Sequence, residues 1–555
     1  MWNRICRWAG SSASRADLWI LSAFVILVTF QPFYLTGQIN LFELGLYLPG
    51  IQGVFHGQIP YRDFFHLRGP FELYMPAACM ALFGKNVAVL ETYFYVGNVL
   101  SLVICVWIAK ELLRTRGVLY LLVPVLVART FPRVVFAFWG GMRFALGLFA
   151  VYCLIKFFKT NKFVWFFAAG VIAAVSLFTS IEIGVGVIAS AVTALGLASI
   201  FLWKDLSRTI RTLVVFGSGF LLIFVPYILY LSTQQALGPY VDATKALLVN
   251  MQNVFPQDQQ VPQNVGEAVA AMFNPSSKNF RHMTPAYCYA TLAVMMFLDV
   301  RRRKLEVWHW ALSALAVYGV IMYVGAFRNI WASQLEMALQ PEKIIYFILL
   351  ERGLFFLKEK SRRGVPKWKI VFIAAAVGLT LWSVIYSFGR FQKRFPAVQI
   401  LTGKNIQKIK LLSGEEVRTL QLDRISGMTA PAWQAQDLEE LTRYLHQHTA
   451  ADEPVFMFPE MGAQYFIVDR PWIGRFPMGT LSWLNDDWHV QWMDQLKKAD
   501  PRWVVMPQHL RDDFYNIYFT VDANKRKYEE VAHYIEERYT VVSSTPTLNI
   551  LKRNE

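Results

Sequence analysis

The stretch "ELGLYLPGIQGVFHGQIPYRDFFHLRGPFELY" (residues 43–74) follows the first long apolar run of the chain and is unusually mixed in character. It is crowded with aromatic residues, yet it also carries acidic, basic and His side chains. Ionisable groups at a membrane edge are costly, so each is a candidate functional residue. Pro60 interrupts any helix, and the pattern G-x-x-P-Y-x-D from Gly57 to Asp63 favours a turn. We predict two surface helices joined by this turn, with Asp63 either capping the second helix or serving chemistry.

The composition outside this stretch is that of a membrane protein. The 555 residues are 55% hydrophobic and only 17% charged, and the mean hydropathy is +0.34. Repeated apolar runs approach the roughly 20 residues that span a bilayer. The formal charge of +16 would favour nucleic acid in a soluble protein. Here Lys and Arg collect in short loops between apolar runs, as the positive-inside rule requires, so we predict membrane lipids and no nucleic acid as partners.

Hydropathy predicts a polytopic α-helical membrane protein with about eleven spans, near residues 18–36, 87–109, 117–130, 143–158, 162–180, 183–203, 211–232, 285–300, 307–326, 337–357 and 368–390. Five basic loops, at 110–117, 156–162, 204–211, 301–304 and 358–369, alternate with less basic ones. This alternation predicts a cytoplasmic N-terminus and an external C-terminus. The basic N-terminus resembles a signal peptide in outline, but its long apolar run without a small-residue cleavage pattern indicates a retained first span.

The predicted domains are a transmembrane module, residues 1–390, and an extracytoplasmic α/β domain, residues 391–555. The module carries two long external loops, residues 38–86 and 233–284. In the tail, β-type runs alternate with amphipathic helices, which predicts a small α/β sheet. The predicted strands lie at 453–459, 464–469 and 502–507, and the predicted helices at 437–448, 490–500 and 523–539.

Neither the cysteines nor the paired histidines form a predicted metal site. The five cysteines show no CxxC spacing and mostly lie in or beside apolar runs, so we interpret them as core residues. His446 and His448 stand two apart on a predicted helix and therefore do not share a face. The ten-residue separation of His56 and His66 across a predicted turn is not a recognised ligand spacing.

With these features in place, residues 43–74 resemble the first external loop of GT-C glycosyltransferases, including the protein O-mannosyltransferase-like enzymes and the lipid A aminoarabinose transferase group. Many bacterial members have an acidic residue after the first span, about ten helical residues, then G-x-x-P-Y-R-D-F and a following proline. The segments "EPVFMFPEMGAQYFIVDRP" (453–471) and "DPRWVVMP" (500–507) are similar to the tails of bacterial members. The likeness thus extends along the chain, and its loop motif is the more specific part.

This resemblance implies an inverting glycosyltransferase of the bacterial inner membrane. It would move a hexosyl or pentosyl group from a polyprenyl-phosphate carrier to an envelope glycan, lipid or protein on the periplasmic side. Glu43 stands where the family has its catalytic base, and Asp63 is the alternative base. A carboxylate within hydrogen-bond reach can take the proton of an acceptor hydroxyl, and partial burial would raise its pKa usefully. A lipid phosphate is a good leaving group, so the second, acidic carboxyl of glycosidases is not required.

Two departures from the family pattern concern this loop. The expected acid is usually Asp, whereas this chain has Glu43, and Leu44 stands where many relatives have Glu. The second departure weakens the prediction of a metal site in the loop. The sequence therefore leaves open whether a divalent cation is a cofactor, and it assigns no ligands to one.

The leaving phosphate needs cations, and the guanidinium fork of Arg matches phosphate oxygens. The candidates are Arg328, Arg143 and Arg62. Relatives often show Gly-Arg-x-Asp and a nearby His around the position of Arg328, whereas Asn329 follows here and the His is absent. Arg143 could instead be an interface anchor that extends outward.

Four further residues are predicted to bind substrate: Tyr61, His66, Arg68 and Glu182. Arg68, like Arg62, could also face a phosphate or an anionic headgroup. Tyr61 could belong to the aromatic membrane belt. Glu182, which occupies a predicted external turn where relatives often carry an acid before Gly, could position an acceptor, help hold a cation or simply shape the hairpin.

Two other functions remain open at this point: a flippase or transporter for a lipid-linked glycan, and a non-catalytic envelope assembly protein. A transporter would require charges deep within several spans or paired broken helices, whereas the predicted span centres are nearly free of charge. No Walker A or GxGxxG signature appears in a supporting context, which favours a lipid-linked sugar donor over a nucleotide sugar.

Overall fold

The computed structural model of the chain describes residues 7–30, 39–131, 141–254, 265–274, 280–302, 305–327, 336–360, 395–403, 416–477, 484–510 and 521–555, together with residue 519 and isolated helical positions between 371 and 385. Contacts divide the chain into two compact units. Unit 1 comprises Met1–Gln31, Tyr93–Val225 and Gln260–Ile409, and unit 2 comprises Pro32–Thr92, Pro226–Gln259 and Lys410–Glu555.

Helices make up most of the described part of unit 1, and most of them are long and apolar. These helices are α1 (Arg15–Thr29), α5 (Val87–Leu112), α6 (Arg116–Thr130), α7 (Gly141–Thr160), α8 (Phe163–Thr179), α9 (Ile181–Ala198, extended by a π-helical turn Ser199–Trp203), α10 (Leu206–Thr233), α12 (Val265–Phe273), α13 (Phe280–Arg301), α14 (Val307–Phe327), α15 (Gln340–Lys360) and α16 (Pro396–Leu401). Helix α5 belongs to unit 1 from Tyr93 onward, and α10 belongs to it as far as Val225.

Ten of the eleven predicted spans coincide with helices in the described part of the chain. Five helices there have the length and hydropathy needed to cross a membrane: Val87–Leu112, Gly141–Thr160, Ile181–Trp203, Leu206–Thr233 and Val307–Ala326. The eleventh predicted span, residues 368–390, lies mostly outside the described residues.

Glycines let the helices of unit 1 pack closely. A Cβ atom on Gly170 of α8 would clash with the carbonyl of Phe216 on α10, and one on Gly147 of α7 would clash with the Tyr318 hydroxyl on α14. Without a hydrophobic driving force between helices in lipid, such close backbone approach supplies the packing contacts.

Residues of several predicted basic loops meet at one end of the unit 1 helices. Glu111 pairs with Lys156 at 3.1 Å and Lys159 at 2.8 Å. Both oxygens of Glu351 accept the backbone N–H of Arg114 at 3.0 Å, and Arg114 reaches Glu306 at 3.3 Å. These contacts place Glu111 and Arg114 at the same end of the unit 1 helices as Lys156, Lys159, Glu306 and Glu351.

Unit 2 combines short helices of the first predicted external loop with the C-terminal tail. Its helices are α2 (Leu41–Gly45), α3 (Leu48–Phe55), α4 (Phe71–Phe83), α11 (Leu237–Val254), α17 (Ala432–His448), α18 (Gly462–Val468), α19 (Asp486–Ala499) and α20 (Asp522–Arg538). Its strands are β1 (Val417–Thr419), β2 (Thr429–Pro431), β3 (Phe456–Met457), β4 (Trp503–Pro507), β5 (Tyr539–Ser544) and β6 (Leu548–Arg553).

The tail contains a four-stranded mixed sheet with the order β3-β4-β6-β5. Strand β3 pairs parallel with β4, β4 pairs antiparallel with β6 in the register Val504↔Leu551, and β6 continues antiparallel to β5. Strands β1 and β2 form a separate antiparallel pair. The apolar side chains of β3, β4 and β6 are buried under the tail helices, as in an α/β domain.

Two sequence predictions, one for the tail and one for the second external loop, differ from the structure. Residues 464–469, predicted as a strand, lie mostly in helix α18, whose seven residues are all buried and therefore show no helical periodicity. The predicted long loop 233–284 contains helix α11 and helix α12. The compact unit that includes the tail also contains residues 32–92 and 226–259, and the domain boundary at residue 390 stays a prediction.

Candidate active site in the first loop

Glu43 lies in α2, a helix of five residues. The Asn40 side chain accepts the backbone N–H of Glu43 at 3.2 Å and so caps the helix start. The helix ends in a turn at Leu46 and Tyr47 before α3 begins at Leu48. The Glu43 side chain is buried, with 4% of the residue exposed, so the candidate base is shielded from bulk water.

A pair of glycines sets the position of α2 within unit 2. A Cβ atom built on Gly462 would lie 2.5 Å from the carbonyl oxygen of Gly45, and one built on Gly45 would lie 3.1 Å from the backbone nitrogen of Ala463. Helices α2 and α18 therefore meet backbone to backbone. The tail segment 453–471 thus holds the helix that carries Glu43.

The turn after α3 is built around Tyr61, which adopts the left-handed backbone conformation with φ of 71°. Its backbone N–H donates to the carbonyl of Phe64 at 2.7 Å, and its hydroxyl donates to the carbonyl of Arg68. The ring is buried and packs edge-on against Tyr240, with 5.0 Å between the ring centroids. Tyr61 therefore holds the loop around Arg68 together, and its ring is not part of an exposed membrane belt.

Asp63 closes the same turn and does not cap a helix. Its carboxylate accepts the backbone N–H of Ile59 at 2.7 Å and pairs with Arg62 at 2.8 Å. The next helix, α4, begins only at Phe71, so the predicted capping role is wrong. The hydrogen bond and charge of Arg62 lower the pKa of Asp63, and Arg62 also donates to the carbonyl of Gln234 at 3.1 Å.

Glycine contacts bring α3 close to α4 and the turn. A Cβ atom on Gly50 would lie 2.9 Å from Leu73, and one on Gly53 would lie 2.8 Å from the ring of Phe64. Because both neighbours are fully buried, neither can move freely. The close approach fixes α3 against α4 and against the turn that carries Phe64.

Glu43 and four side chains from these segments form a largely buried cluster, whose other members are Tyr47, His66, Arg68 and Glu72. The Arg68 guanidinium hydrogen-bonds the Tyr47 hydroxyl, which also senses the charges of Glu43 and Glu72. Arg68 Nε lies 3.5 Å from Glu72 Oε2. The rings of Tyr47 and His66 meet edge to face, with centroids 6.0 Å apart.

Burial is the main cause of the shifted pKa values in this cluster. It raises the pKa of Glu72 to about 7, opposed by the charge of Arg68. It lowers the pKa of His66 to about 3, and Arg68 acts in the same direction, so the imidazole is neutral at pH 7. The pKa of the Tyr47 hydroxyl is raised by burial. Arg68 is therefore the permanent positive charge of the cluster, and 24% of its side chain is exposed.

The remaining predicted residues lie in unit 1 or outside the described ranges. Arg143 is buried in the first turn of α7, with 4% exposed, and does not extend outward. Asn98 accepts the N–H of Gly141 at 2.7 Å and fixes the start of that helix. Glu182 occupies the first turn of α9 and is exposed. Arg328 lies outside the described residues.

Sequence reasoning did not assign Tyr47 or Glu72 to the site. Glu72 carries a readable signal, because it is the acid of an otherwise apolar helix and stands four residues after Arg68. Tyr47 becomes a site residue only through its contact with Arg68. Within the described ranges, no three His, Cys, Asp or Glu residues lie together as a metal site would require, and a divalent cation stays a prediction.

Two crystal structures are similar to this chain over almost its whole length. They are ArnT from Cupriavidus metallidurans bound to undecaprenyl phosphate and the same protein in the apo state, with TM-scores of 0.51 and 0.52. Each is 12% identical in sequence and covers 97% of this chain and 98% of its own. The cryo-EM structure of the arabinofuranosyltransferase AftD from Mycobacteria matches with a TM-score of only 0.47, which is too low to carry a conclusion.

Comparisons of the sequence itself add nothing to this. No protein-family profile matches the chain, and a comparison with functionally characterised proteins finds no match. At 12% identity the structural likeness establishes the fold. The chain therefore shares the fold of these ArnT structures: it is a polytopic helical membrane protein with a C-terminal α/β domain.

Proposed function

We propose that this protein is an inverting glycosyltransferase that moves a sugar from a polyprenyl-phosphate carrier to a cell-envelope acceptor on the periplasmic side of a bacterial inner membrane. The observation that carries the proposal is the arrangement of Glu43, Tyr47 and Arg68 in one buried cluster. The cluster combines a shielded carboxylate with a partly exposed guanidinium. The likeness to ArnT, which was crystallised with undecaprenyl phosphate, supports a polyprenyl-phosphate donor.

Glu43 is the proposed base. It would accept the proton of the acceptor hydroxyl as the hydroxyl oxygen attacks the anomeric carbon and the carrier phosphate leaves. A single displacement inverts that carbon. Burial of Glu43 excludes water from the carboxylate, which limits hydrolysis of the donor in place of transfer.

Arg68 is the proposed phosphate ligand of the first loop. Its guanidinium keeps its charge at any relevant pH and can form charge-assisted hydrogen bonds with phosphate oxygens. Tyr47 holds the guanidinium from one side. Arg62 is a weaker candidate, because it already pairs with Asp63 and Gln234. Arg143, Arg328 and Glu182 stay predictions for binding donor or acceptor.

The proposal is tested by mixing the purified full-length protein with undecaprenyl-phosphate-linked hexoses and pentoses, adding an extract of cell-envelope glycans, lipids and proteins as the acceptor source, and measuring release of undecaprenyl phosphate. Glu43→Gln should lower turnover by about 10²-fold or more, the usual contribution of a positioned general base. The matched control is Glu536→Gln, which alters an exposed carboxyl of α20 and should leave turnover unchanged. Full activity of a folded Glu43→Gln protein would exclude the base assignment.

The acceptor requires a cellular experiment. Mass spectrometry of envelope glycans, lipids and proteins from cells lacking the protein should reveal a structure missing one sugar. An unchanged envelope, together with no donor consumption by the purified protein, would refute the enzymatic proposal. If the protein were a flippase, cells lacking it would instead accumulate a lipid-linked glycan.

A further inference from the structure

Glu72 is the buried acidic residue of the cluster that the proposed mechanism does not use. It is 1% exposed, and neither carboxyl oxygen has a hydrogen-bond partner within the described chain. The Arg68 Nε atom, 3.5 Å from Oε2, makes an electrostatic contact without hydrogen-bond geometry. Burying a carboxyl in this way is costly, so its place beside the only permanent positive charge of the cluster calls for an explanation.

The Arg68 side chain contacts buried groups, and part of it is also accessible to solvent. Glu72 lies behind it, and Tyr47 hydrogen-bonds it within the cluster. Because 24% of the Arg68 side chain is exposed, an anion can still approach the guanidinium. Such an anion and an ionised Glu72 would repel each other across a single cation, and water does not screen the buried carboxyl.

We propose that Glu72 is a positioning residue that competes with the donor phosphate for Arg68 and takes up one proton from solvent when the phosphate binds. The inference rests on the proposed role of Arg68 in donor binding. Protonated Glu72 would leave the full charge of Arg68 to the phosphate, whereas ionised Glu72 would hold the guanidinium back. The donor site would then respond to pH through a group that never touches the sugar.

The groups that face Glu72 support this coupling. Arg68 from the preceding loop, Tyr47 from the α2–α3 turn and Tyr61 from the loop turn interact with it electrostatically. Both tyrosines stay neutral because burial raises their pKa values. The pKa of Glu72 at about 7 therefore makes it the titrating member. Below that pH the neutral carboxyl favours anion binding; above it, the carboxylate opposes binding, so affinity should fall as pH rises.

The experiment measures binding of undecaprenyl phosphate monomethyl ester to the full-length protein in detergent between about pH 5.5 and about pH 8.5. This phosphodiester keeps a constant charge, whereas a phosphate monoester titrates near pH 6 and would obscure the effect. The variant is Glu72→Gln, which preserves shape and cannot ionise. Glu91→Gln is the matched control, because Glu91 is similarly buried at 6% exposed and makes no ion pair within the described ranges.

For the wild-type protein and Glu91→Gln, affinity should fall by up to about tenfold per pH unit above pH 7, the limit for one linked proton. Glu72→Gln should bind with little pH dependence and more tightly than wild type at the highest pH. Calorimetry of the wild type at pH 7, in two buffers with different ionisation enthalpies, should detect uptake of a fraction of one proton. This last measurement requires no variant to fold.

Equal pH dependence in Glu72→Gln and wild type, or no proton uptake by the wild type, would overturn the inference and leave the proposed function intact. Failure of the probe to bind wild type at every pH would overturn the donor assignment itself and the inference with it. A Glu72→Gln protein that only unfolds earlier, with an unchanged binding profile, would show that Glu72 has a structural role alone.

Discussion

Gly45 and Gly462 bring two helices of one unit into backbone contact, since a Cβ atom on Gly462 would lie 2.5 Å from the carbonyl oxygen of Gly45. The residues are far apart in sequence, one beside the candidate base and one in the tail. The tail therefore supports the helix that carries Glu43, in addition to any part it has in acceptor binding.

Gly462→Ala tests this support. The added methyl group meets backbone on the opposite helix and cannot be relieved by a rotamer change, so overpacking should cost about 1–3 kcal/mol of unfolding free energy. Thermal unfolding in detergent, followed by Trp fluorescence, should show a lower midpoint, and donor turnover should fall because α2 shifts. In the control Gly353→Ala, the Cβ meets nothing within 4 Å and helix propensity improves. Equal midpoints for the two variants would contradict the backbone contact.

Asp63→Asn distinguishes the two candidate bases. The amide oxygen can still accept the Ile59 N–H, but the ion pair with Arg62 is lost. We expect turnover to stay within about threefold of wild type, because the residue sits in a turn and lies outside the buried cluster, whereas removing a general base costs about 10²-fold or more. A loss as large as that of Glu43→Gln would instead make Asp63 the base.

The same variant has a defined pH signature. Because the pKa of Asp63 is lowered in the folded protein, its stabilising effect is present above its unfolded pKa and is lost as pH falls through the folded pKa. The difference in unfolding midpoint between wild type and Asp63→Asn should therefore shrink toward zero on acidification from neutral pH to about pH 3. A difference that grows on acidification would contradict the assignment of the ion pair.

Arg68→Ala and Arg62→Ala rank the two loop cations as phosphate ligands. Arg68 lies in the cluster with Glu43 through Tyr47, whereas Arg62 is occupied by Asp63 and Gln234. Loss of charge-assisted hydrogen bonds worth about 1.5–3 kcal/mol should weaken donor binding about 10- to 100-fold in Arg68→Ala. Arg62→Ala should change it less than about threefold, as expected of exposed ion pairs. Titration of donor in the turnover assay measures both, and the reverse order would make Arg62 the ligand.

Asp437→Ala tests the packing of the α/β domain. This buried carboxylate on α17 accepts the Thr545 hydroxyl at 2.6 Å, and the N–H and hydroxyl of Thr547 at 2.9 and 2.5 Å. Its removal leaves several buried donors without a partner and should cost about 2–4 kcal/mol. Limited proteolysis should cleave the tail faster than in wild type. Asp452→Ala, an exposed control, should not differ from wild type, and neither variant alters the proposed chemistry.

Local sequence patterns sufficed for the membrane helices, because a stretch of apolar residues without charges must be helical in lipid whatever its neighbours are. They failed at α18, where burial on every side removes the periodicity that distinguishes a helix from a strand. They also missed β5 and β6: β6 pairs with β4 and acquires its register from it, and β5 pairs with β6.

The residues of the candidate site also differ in how far the sequence alone could identify their roles. The position of Glu43 after the first apolar run and the G-x-x-P-Y-x-D turn pointed to the first loop, but the turn chemistry of Asp63 could not be separated from a functional role. The structure shows that the Asp63 carboxylate accepts the Ile59 N–H and pairs with Arg62, and its role as a base stays a prediction that Asp63→Asn tests. Glu72 was visible as an acid in an apolar helix, yet only its burial and its distance from Arg68 give it a chemical meaning.

The sequence by itself determined the class of this protein: apolar runs long enough to span a bilayer, basic loops that alternate along the chain and a polar α/β tail follow from local composition. Only the tertiary structure decided that Tyr47, Arg68 and Glu72 gather beside Glu43 and that the tail supports α2 through Gly462 and Gly45. The physical reason is that burial and charge coupling depend on segments brought together by close glycine contacts, which no pattern within either segment encodes.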